Sequence, residues 1–342
     1  MKLLVIRTSA MGDVALLTPV LKSMEKQYPD AEIVLVTRPA FAPFFYSFSG
    51  VKLFLAGSGK RYSGLSGIFR LFSDLKKNHK FDYIIDLHDV IRSHILSGLF
   101  RLTGVRVVRI NKGRKEKRNI ITGKKKVQLI HSVERYYNVF ARAGFSLEPV
   151  SGPWIIASAE GQKRALSLLR ETEIIHIGIA PYAKHDLKMW PERSMVRLME
   201  MIAKNSKVRF WLFGGKEETP QLIAMQSRIP ESVLVAGTLS LDEELALISR
   251  LNFMISMDSS NLHLAALTGT KVISVWGGTD PISGFGPWQQ PGEYAIRIPA
   301  EELTCRPCTV YGKGKCKRGD FACMMWLTPE KVYETLVNLK MI

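Results

Sequence analysis

The segment MKLLVIRTSAMGDVALLTPVLKSMEKQYPDAEIVLV, residues 1–36, decides the fold class. An apolar run, Leu3 to Ile6, is followed by a turn that contains Gly12, by an amphipathic stretch from Val14 to Tyr28, and by a second apolar run at Ile33 to Val36. Short apolar runs bounded by turn residues predict buried strands, and apolar residues at three- and four-residue spacing predict a helix. The segment therefore predicts a strand–helix–strand unit of a parallel sheet covered by helices.

The same alternation continues along the chain. Later strands are predicted at 83–87, 175–179, 208–213, 233–235, 253–256 and 271–276, with helices between them. Turn-forming residues at 144–153 interrupt the pattern and indicate a domain boundary. We predict an α/β fold of two facing Rossmann-like domains, 1–150 and 151–328, with a C-terminal helix at 329–342 that crosses back. Such sheets place the carboxyl ends of their strands along one cleft, where ligands bind.

The composition fits two domains without a membrane span. The chain has 342 residues, 46% of them hydrophobic, which is enough for a buried core in each domain. No apolar run approaches the roughly 18 to 20 residues that a transmembrane helix needs, and the N-terminus becomes polar too early for a signal peptide. We therefore expect a cytoplasmic protein. The formal net charge of +17, from 48 Lys and Arg against 31 Asp and Glu, favours anionic partners.

Much of the positive charge lies between residues 101 and 126. The basic residues there are Arg101, Arg106, Arg109, Lys112, Arg114, Lys115, Lys117, Arg118, Lys124, Lys125 and Lys126, against the single acid Glu116. This basic run is either a solvated loop or a contact for lipid phosphates, where each basic side chain near an anionic surface contributes about 1 kcal/mol. It contains no aromatic residue, whereas proteins that bind single-stranded nucleic acid interleave basic and aromatic side chains. We therefore expect no nucleic-acid partner.

The loop after the first predicted strand is Arg7-Thr8-Ser9-Ala10-Met11-Gly12-Asp13. It lacks the G-x-G-x-x-G pattern that lets a dinucleotide pyrophosphate approach the backbone, which disfavours a dehydrogenase. The loop does contain a carboxylate, Asp13, directly after a glycine at the start of a helix, where the helix dipole keeps it ionised. Two interpretations stay open from these residues: Asp13 caps the helix, or it is a catalytic carboxylate.

Three loops of the second half carry polar residues suited to a nucleotide diphosphate. The segment 257–263 contains Asp258, Ser259, Ser260 and His263 at a predicted helix start, where hydroxyl and backbone N–H groups bind phosphate. Helix capping with a histidine in the core is the alternative for that segment. In addition, Lys184 and Lys188 follow the first strand of the second domain as candidate phosphate partners, with ordinary surface lysines as the alternative. The last of these three loops, 213–218, combines Gly214 and Gly215 with acidic residues that could accept hydrogen bonds from ribose hydroxyls.

The cysteines Cys305, Cys308, Cys316 and Cys323 are clustered with the spacing C-x2-C-x7-C-x6-C. A cytosolic setting disfavours disulfides, and such clustering is compatible with structural zinc. A zinc site normally draws on two close pairs, however, and only the first pair here has that spacing. The zinc hypothesis stays open, and no metal is assigned.

These loops, in this order, resemble the signatures of glycosyltransferase family 9, the ADP-heptose:lipopolysaccharide heptosyltransferases. The matching segments are RTSAMGDVALLTP (7–19), LKMWP (187–191), FGGKEE (213–218) and DSSNLHLAALTGTKVISVWGGTDP (258–281), and DLHDVIRSHILSG (86–98) and HSVERYYNVFARAG (131–144) resemble two further first-domain signatures. The resemblance spans nearly the whole chain. It implies the GT-B arrangement of two facing Rossmann domains.

The resemblance also implies an inverting, metal-independent transfer without a cofactor. Asp13 would be the general base that deprotonates the acceptor hydroxyl, and Lys188 would stabilise the leaving diphosphate. The donor would be held by Gly12, Lys184, Gly214, Gly215, Glu218 at the ribose, Asp258, Ser259, Ser260 and His263, and the acceptor by Arg92 and Arg135. The expected partners are a nucleotide diphosphate sugar, in first place ADP-heptose, an anionic glycolipid acceptor such as a lipopolysaccharide core, and the cytoplasmic surface of the inner membrane.

One position departs from the family pattern. The third residue of the pattern D-[TS]-G-x-x-H is Ser260 here, where the family usually has glycine. A Cβ at that point displaces the diphosphate or requires another donor pose, so a donor different from ADP-heptose stays open as a hypothesis. Two competing hypotheses for the function also stay open: a nucleotide-sugar 2-epimerase of similar fold, which needs no acceptor, and a family member that binds nucleotide without turnover.

Overall fold

The computed structural model describes residues 1–57, 60–171 and 173–342. Close contacts divide the chain into two compact units. The first unit comprises Met1–Arg114 and Ile130–Ile156, and the second comprises Lys115–Leu129 and Ala157–Ile342. Each unit is built around its own parallel sheet with helices between the strands, so the predicted class of two Rossmann-like α/β domains is confirmed.

The first half of the chain alternates strands and helices as predicted. In chain order the elements are β1 (Lys2–Ile6), α1 (Met11–Ala15), α2 (Thr18–Gln27), β2 (Glu32–Thr37), β3 (Val51–Leu55), α3 (Gly64–Asn78), β4 (Tyr83–Asp86), α4 (Ile91–Leu102), β5 (Arg106–Arg109), α5 (Arg114–Ile121) and α6 (Ser132–Ala143). The sheet has the order β3-β2-β1-β4-β5, and every neighbouring pair is parallel. The chain therefore changes direction across the sheet between β1 and β4, where Ile6 lies beside Asp86.

The single helix predicted from Val14 to Tyr28 is wrong, because the structure has two helices there. Proline has no N–H group, and its ring would clash with the carbonyl four residues earlier, so Pro19 cannot continue a helix that includes Ala15. Instead, the Thr18 hydroxyl donates to the Ala15 carbonyl at 2.8 Å, and α2 begins with Pro19 in its first turn. The break ends α1 after five residues and separates the loop that contains Asp13 from the longer helix behind it.

The second unit has the Rossmann strand order. Its elements are α7 (Ala159–Leu168), β6 (Ile175–Ala180), α8 (Glu192–Asn205), β7 (Val208–Leu212), α9 (Thr219–Arg228), β8 (Ser232–Leu234), α10 (Leu241–Ile248), β9 (Phe253–Met257), α11 (Ser260–Leu267), β10 (Val272–Val275), β11 (Ala295–Ile296), α12 (Ala322–Met325) and α13 (Pro329–Asn338). The sheet order is β11-β10-β9-β6-β7-β8, so the switch of direction lies between β6 and β9, where Ala180 pairs with Ser256. Open α/β sheets bind ligands beside such a switch point.

The central strands are buried on both faces, as expected for a parallel sheet covered by helices. All of β9 is buried, and so is β6 apart from its first residue. The C-terminal helix α13 packs against α8 with Val332 and Leu336 fully buried in the core of the second unit. Its predicted crossing to the first domain stays a prediction. None of the helices in the described ranges is both long and apolar enough to cross a membrane.

Part of the basic run packs against the rest of the protein. Its helix α5 places Lys117 in a buried position, with the ammonium 4.2 Å from the centroid of the Phe285 ring. Farther along, the Leu129 N–H donates to the Ile282 carbonyl at 2.8 Å. A cation over an aromatic face and a backbone hydrogen bond both favour a fixed segment. Residues 115–129 therefore pack as part of the second unit.

Candidate active site

Asp13 lies in the loop that leaves β1, at the third position of α1. Its Oδ2 atom is 2.6 Å from Nη2 of Arg7, and the same oxygen accepts the Ala10 N–H at 3.3 Å. The Asp13 side chain is 30% exposed, whereas the Arg7 side chain is 6% exposed. The short ion pair outweighs the long capping bond, so the structure holds a solvent-accessible carboxylate in place by a buried guanidinium.

Two further residues fix this ion pair. Arg7 donates through Nη1 to the Leu87 carbonyl, and its guanidinium lies 5.9 Å from the centroid of the Tyr136 ring. The Tyr136 hydroxyl in turn donates to the Asp13 carbonyl at 3.0 Å. Burial raises the pKa of Tyr136, which keeps that hydroxyl a donor. Arg7 and Tyr136 were not predicted as functional residues, and their contacts join positions that are far apart in the chain.

His88 connects the loop after β4 to the loop after β1. Its Nδ1 lies 3.1 Å from the Thr8 hydroxyl, and its Nε2 lies 3.0 Å from the Ser9 hydroxyl. Burial lowers the pKa of His88 to about 4, and the nearby positive charges of Arg7 and Lys112 act in the same direction. A neutral imidazole donates through one ring nitrogen and accepts through the other, so it can hold both hydroxyls at once. His88 directly follows the strand predicted at 83–87, a position typical of functional residues in such sheets, but it was not among the predicted site residues.

We expect His88 to stay neutral throughout the neutral pH range. In an NMR titration of the folded protein, its ring resonances should not shift between about pH 5.5 and pH 8, because the protonated form is disfavoured by burial and by two neighbouring cations. The resonance that is missing from the spectrum of the His88→Gln variant belongs to His88. The urea-unfolded chain is the control, because its histidines titrate near pH 6.5. A midpoint for His88 above about pH 6 would contradict this description of the site.

The second unit places an ion pair at its own switch point. Lys188 follows β6, at the end of a short 3₁₀ helix, and Asp258 follows β9. The Lys188 ammonium lies 2.8 Å from Oδ2 of Asp258, with side-chain exposures of 17% and 7%. The aliphatic part of the Lys188 side chain packs against Gly312. A Cβ on Gly312 would lie 2.7 Å from Cγ of Lys188. The ammonium is thus fixed in direction but not sealed from solvent.

The predicted phosphate-binding residues surround the start of α11. Ser259 precedes the helix in an extended conformation, Ser260 is its first residue, and His263 is buried one turn later. The Ser259 hydroxyl lies 3.4 Å from the Ser256 hydroxyl. The first-turn N–H groups of a helix have no partner within the helix, and together with the helix dipole they favour a phosphate. Because Asp258 immediately precedes this turn, the Lys188 ammonium lies beside it.

A side chain at position 214 would be crowded by Glu218 and by the buried Leu222. Glu218 folds back so that its Oε2 accepts the Gly215 N–H at 2.7 Å, and a Cβ on Gly214 would lie 2.8 Å from that oxygen. The carboxylate of Glu218 is therefore held at the carboxyl end of β7, and its role at the ribose stays a prediction. Lys184 is exposed, and Gly12 is buried within α1. Their donor contacts also stay predictions.

The two arginines predicted at the acceptor differ in their surroundings. Arg92 is exposed at the start of α4 and donates to the Tyr62 carbonyl. Arg135 is 9% exposed and donates to the carbonyls of Ile130 and Asn111, each at 3.2 Å. Arg92 is therefore accessible to a ligand, whereas the hydrogen bonds of Arg135 hold backbone of the first unit. An acceptor contact remains a prediction for both.

A cavity of about 220 Å³ opens at the carboxyl ends of the strands of the first unit. Its lining contains two arginines, Arg38 and Arg92, together with His88 and Thr8 from the network beside Asp13. The rest of the lining consists of Ile6, Val36, Ala56, Gly57, Tyr62, Ser63, Leu71, Ser93 and Leu96. The cavity is thus cationic, partly apolar, and adjacent to the loop that carries the candidate base. Arg38 was not predicted from the sequence.

The four cysteines carry free thiols, with Cys323 buried and the remaining three partly exposed. Over residues 1–57, 60–171 and 173–342, no group of three or more His, Cys, Asp or Glu side chains is arranged to hold a metal ion. Burial raises the pKa of the Cys323 thiol to about 11. The cysteine segment is anchored by Arg306, which is 1% exposed and donates to the carbonyls of Gly277 and Thr279 at 2.7 and 3.1 Å.

Comparison with known proteins connects this geometry to a family. The model of glycosyltransferase family 9 (heptosyltransferase) matches residues 68–313. Lipopolysaccharide heptosyltransferase 3 of Escherichia coli is 26% identical over 293 residues, covering 81% of this chain and 83% of that protein. Two solved structures share the fold. The family 9 glycosyltransferase of Veillonella parvula has a TM-score of 0.77 at 19% identity, covering 99% of this chain and 96% of that one. The E. coli heptosyltransferase WaaC with ADP has a TM-score of 0.69 at 20% identity and covers 99% of each chain.

The family match extends over well more than half of the chain. It includes the loops that carry Lys188, Glu218 and Asp258, and the loop of His88 in the first unit. The resemblance seen in the sequence is therefore confirmed, together with the enzyme class of glycosyltransferase. This chain belongs to glycosyltransferase family 9, the heptosyltransferases.

Proposed function

We propose that this protein transfers a heptose from ADP-heptose to a lipopolysaccharide core acceptor, with inversion at the anomeric carbon. The observation that carries the proposal is the Asp13 carboxylate, which is accessible to solvent and held by the buried Arg7 at the switch point of the first sheet. One relative named above is a lipopolysaccharide heptosyltransferase, and a heptosyltransferase of similar fold was solved with ADP. Both findings support the same donor and acceptor classes here.

In the proposed reaction, Asp13 acts as the general base. As the acceptor oxygen forms its bond to the anomeric carbon, its proton becomes acidic and passes to the Asp13 carboxylate. The bond between that carbon and the diphosphate oxygen breaks at the same time, and ADP leaves with the electron pair. Because attack and departure occur on opposite faces, the anomeric configuration inverts. The neutral His88 holds the Thr8 and Ser9 hydroxyls next to the base and does not compete for the proton.

The second unit supplies the charge that the departing diphosphate requires. Lys188 places an ammonium beside the first turn of α11, and that turn presents backbone N–H groups. Negative charge grows on the diphosphate during transfer, so fixed positive groups stabilise the transition state more than the ground state. Asp258 keeps the ammonium in position. These residues need no metal ion for this role.

The acceptor fits the cavity of the first unit in the proposed reaction. A lipopolysaccharide core is anionic, and Arg38 and Arg92 give the cavity positive charge. Thr8 and His88 in the lining connect the cavity to the loop of Asp13. The proposed location is the cytoplasmic side of the inner membrane, with the protein bound peripherally, because such an acceptor is anchored by lipid.

A thermal-shift screen against ADP-, UDP- and GDP-sugars tests the donor. We expect ADP-heptose to raise the melting temperature most, because a ligand at 100 times its Kd adds about 2.7 kcal/mol to the free energy of unfolding. The Ser260→Gly variant is the matched comparison, since it restores the glycine of the family pattern. A larger rise in melting temperature with a UDP- or GDP-sugar would identify that nucleotide sugar as the donor in place of ADP-heptose.

An activity assay tests the two competing functions. Conversion of the donor sugar in the absence of any acceptor would indicate an epimerase. Donor binding without any turnover would indicate a non-catalytic member of the family.

A further inference from the structure

Three large apolar side chains of the first unit project into solvent from neighbouring helices. Leu65 and Phe69 in α3 are 67% and 54% exposed, and Ile91 at the start of α4 is 80% exposed. The core-facing side of α3 carries Ile68 and Leu71, which are 4% and 2% exposed. Packing of α3 on its sheet therefore does not require Leu65 and Phe69, which lie one helical turn apart on its exposed side. Large apolar side chains grouped on an exposed face indicate an interaction site.

The starts of α3 and α4 lie side by side. Arg92, the second residue of α4, donates to the carbonyl of Tyr62, which lies two residues before the start of α3. The two helices also pack against each other, with the ring centroids of Phe72 and Phe100 4.8 Å apart. Ile91 and Leu65 therefore belong to one surface. We call Leu65, Phe69 and Ile91, with the arginines between and beside them, the docking surface.

The charges on the docking surface are positive. Arg61, Arg70 and Arg92 are exposed there, and Arg70 donates through Nη1 to the Arg61 carbonyl. The nearest acid of α3, Asp74, is already paired with Arg61 at 2.7 Å. Exposed apolar side chains beside the arginines Arg70 and Arg92 match a bilayer interface that contains anionic lipid, where the apolar groups enter the acyl region and the cations meet phosphate. A neutral protein partner would leave these cations without a complement.

The docking surface adjoins the mouth of the acceptor cavity. Tyr62, Ser63 and Arg92 line that cavity, and the hydrogen bond from Arg92 to the Tyr62 carbonyl also joins the starts of α3 and α4. A lipid-anchored acceptor must extend its polar head from the membrane into the enzyme while its acyl chains stay in the bilayer. An apolar surface beside the cavity mouth meets this requirement.

We propose that Leu65, Phe69 and Ile91 insert into the interface of an anionic bilayer and present the cavity mouth to the membrane. This inference rests on the proposed function for its lipid-anchored acceptor, but vesicle binding itself needs no substrate. It assigns the membrane contact to the start of α3 and α4. Within the basic run, Lys117 is buried against Phe285, and Arg114, although 70% exposed, is paired with Asp89 at 2.6 Å.

Flotation with vesicles tests the proposal directly. Wild-type protein should float with phosphatidylglycerol/phosphatidylcholine vesicles in the absence of any sugar, less with phosphatidylcholine alone, and less as salt is raised. The triple variant Leu65→Ser/Phe69→Ser/Ile91→Ser should lower the partition coefficient by at least about a hundredfold, because three large apolar groups no longer leave water. Wild-type protein that stays with the unbound fraction on anionic vesicles would overturn the proposal.

A matched control uses apolar side chains of the second unit with similar exposure. Leu166, Ile223 and Val337 are 54%, 51% and 45% exposed. Their triple replacement by serine should leave vesicle binding within about twofold of wild type. Equal losses in both triple variants would show that binding depends on general surface hydrophobicity, which contradicts a specific docking surface.

A second pair of variants tests the charge component. Arg70→Glu should weaken binding to anionic vesicles by about tenfold, whereas Arg228→Glu, at an exposed position of α9, should leave it unchanged. Sedimentation velocity with wild type and the docking variant shows whether a second copy of the chain covers the surface instead. A dimer that the docking variant converts to monomers, without vesicle binding by either form, would overturn the proposal.

The transfer assay separates this inference from the proposed function. The docking variant should retain turnover with a de-acylated, water-soluble acceptor and lose it with the same acceptor embedded in vesicles. If no form of the protein transfers sugar to either acceptor, the proposed function fails while the flotation result still stands. If the docking variant uses both acceptors equally well, the docking surface has no role in presentation of the acceptor.

Discussion

The Asp13→Asn variant is expected to lower turnover by about 10²- to 10⁴-fold while donor affinity stays within a few-fold of wild type. Asparagine keeps the size of the side chain and an oxygen that can accept from Arg7, 2.6 Å away in the native pair. It removes the ability to take a proton at neutral pH. Steady-state kinetics with saturating donor and acceptor, together with isothermal titration of donor alone, measure the two quantities separately.

Folding must be controlled for in this experiment, because Asp13 also neutralises a buried guanidinium. The melting temperature of Asp13→Asn shows whether the loss of the ion pair unfolds the loop. An Arg7→Lys variant is the matched control, since it disturbs the same pair but leaves the carboxylate in place. We expect Asp13→Asn to be the far less active of the two. Turnover in Asp13→Asn within tenfold of wild type would remove Asp13 as the base and leave it as a structural partner of Arg7.

The Lys188→Met variant is expected to lower kcat/KM by about 10²- to 10³-fold, with weaker donor binding as part of the loss. Methionine retains an unbranched stem of similar length, which preserves the packing under Gly312. The ammonium that meets the growing charge of the diphosphate is gone. Donor titrations and initial rates at several donor concentrations divide the effect between ground-state binding and the transition state.

This variant leaves Asp258 as a buried carboxylate without its partner at 2.8 Å. Removal of one member of a buried ion pair costs about 3–5 kcal/mol of stability. The double variant Lys188→Met/Asp258→Asn removes both charges and should recover most of the melting temperature without recovery of turnover. If the double variant regains activity along with stability, Lys188 serves folding and not the chemistry of the diphosphate.

The strands that the sequence analysis missed lie at the edges of the sheets. In β3, VKLFL, only the first residue is buried, and in β5, RVVR, one residue of four is buried. Central strands such as β1 and β9 are covered by helices on both faces and therefore appear as continuous apolar runs. Edge strands are short and half solvated, so their residues resemble those of loops. Periodicity therefore found the central strands and the edge strand β8, predicted at 233–235, but it missed the edge strands β3, β5 and β11.

The sequence predicted only those residues of the candidate site that follow a recognisable buried strand and carry a familiar chemical role. Asp13, Lys188 and Asp258 each follow a buried strand whose apolar pattern is plain in the sequence. Arg7 and His88 also follow such strands, but their function depends on contacts with each other's loops, 80 residues apart. No local pattern reports a contact of that separation. Their roles became visible only with distances, burial and the lowered pKa of His88.

The order of apolar runs and turns along the chain was enough to establish two parallel α/β domains, and the loop motifs were enough to indicate the enzyme family. Which loops lie next to each other was decided only in the folded sheets. Chain order places β4 third after β1, and β9 third after β6, yet each is the hydrogen-bonded neighbour of that first strand. The contacts of Arg7, Thr8 and Ser9 with the His88 loop, and the ion pair of Lys188 with Asp258, exist because sheet order rather than chain order determines which strand ends meet at a switch point.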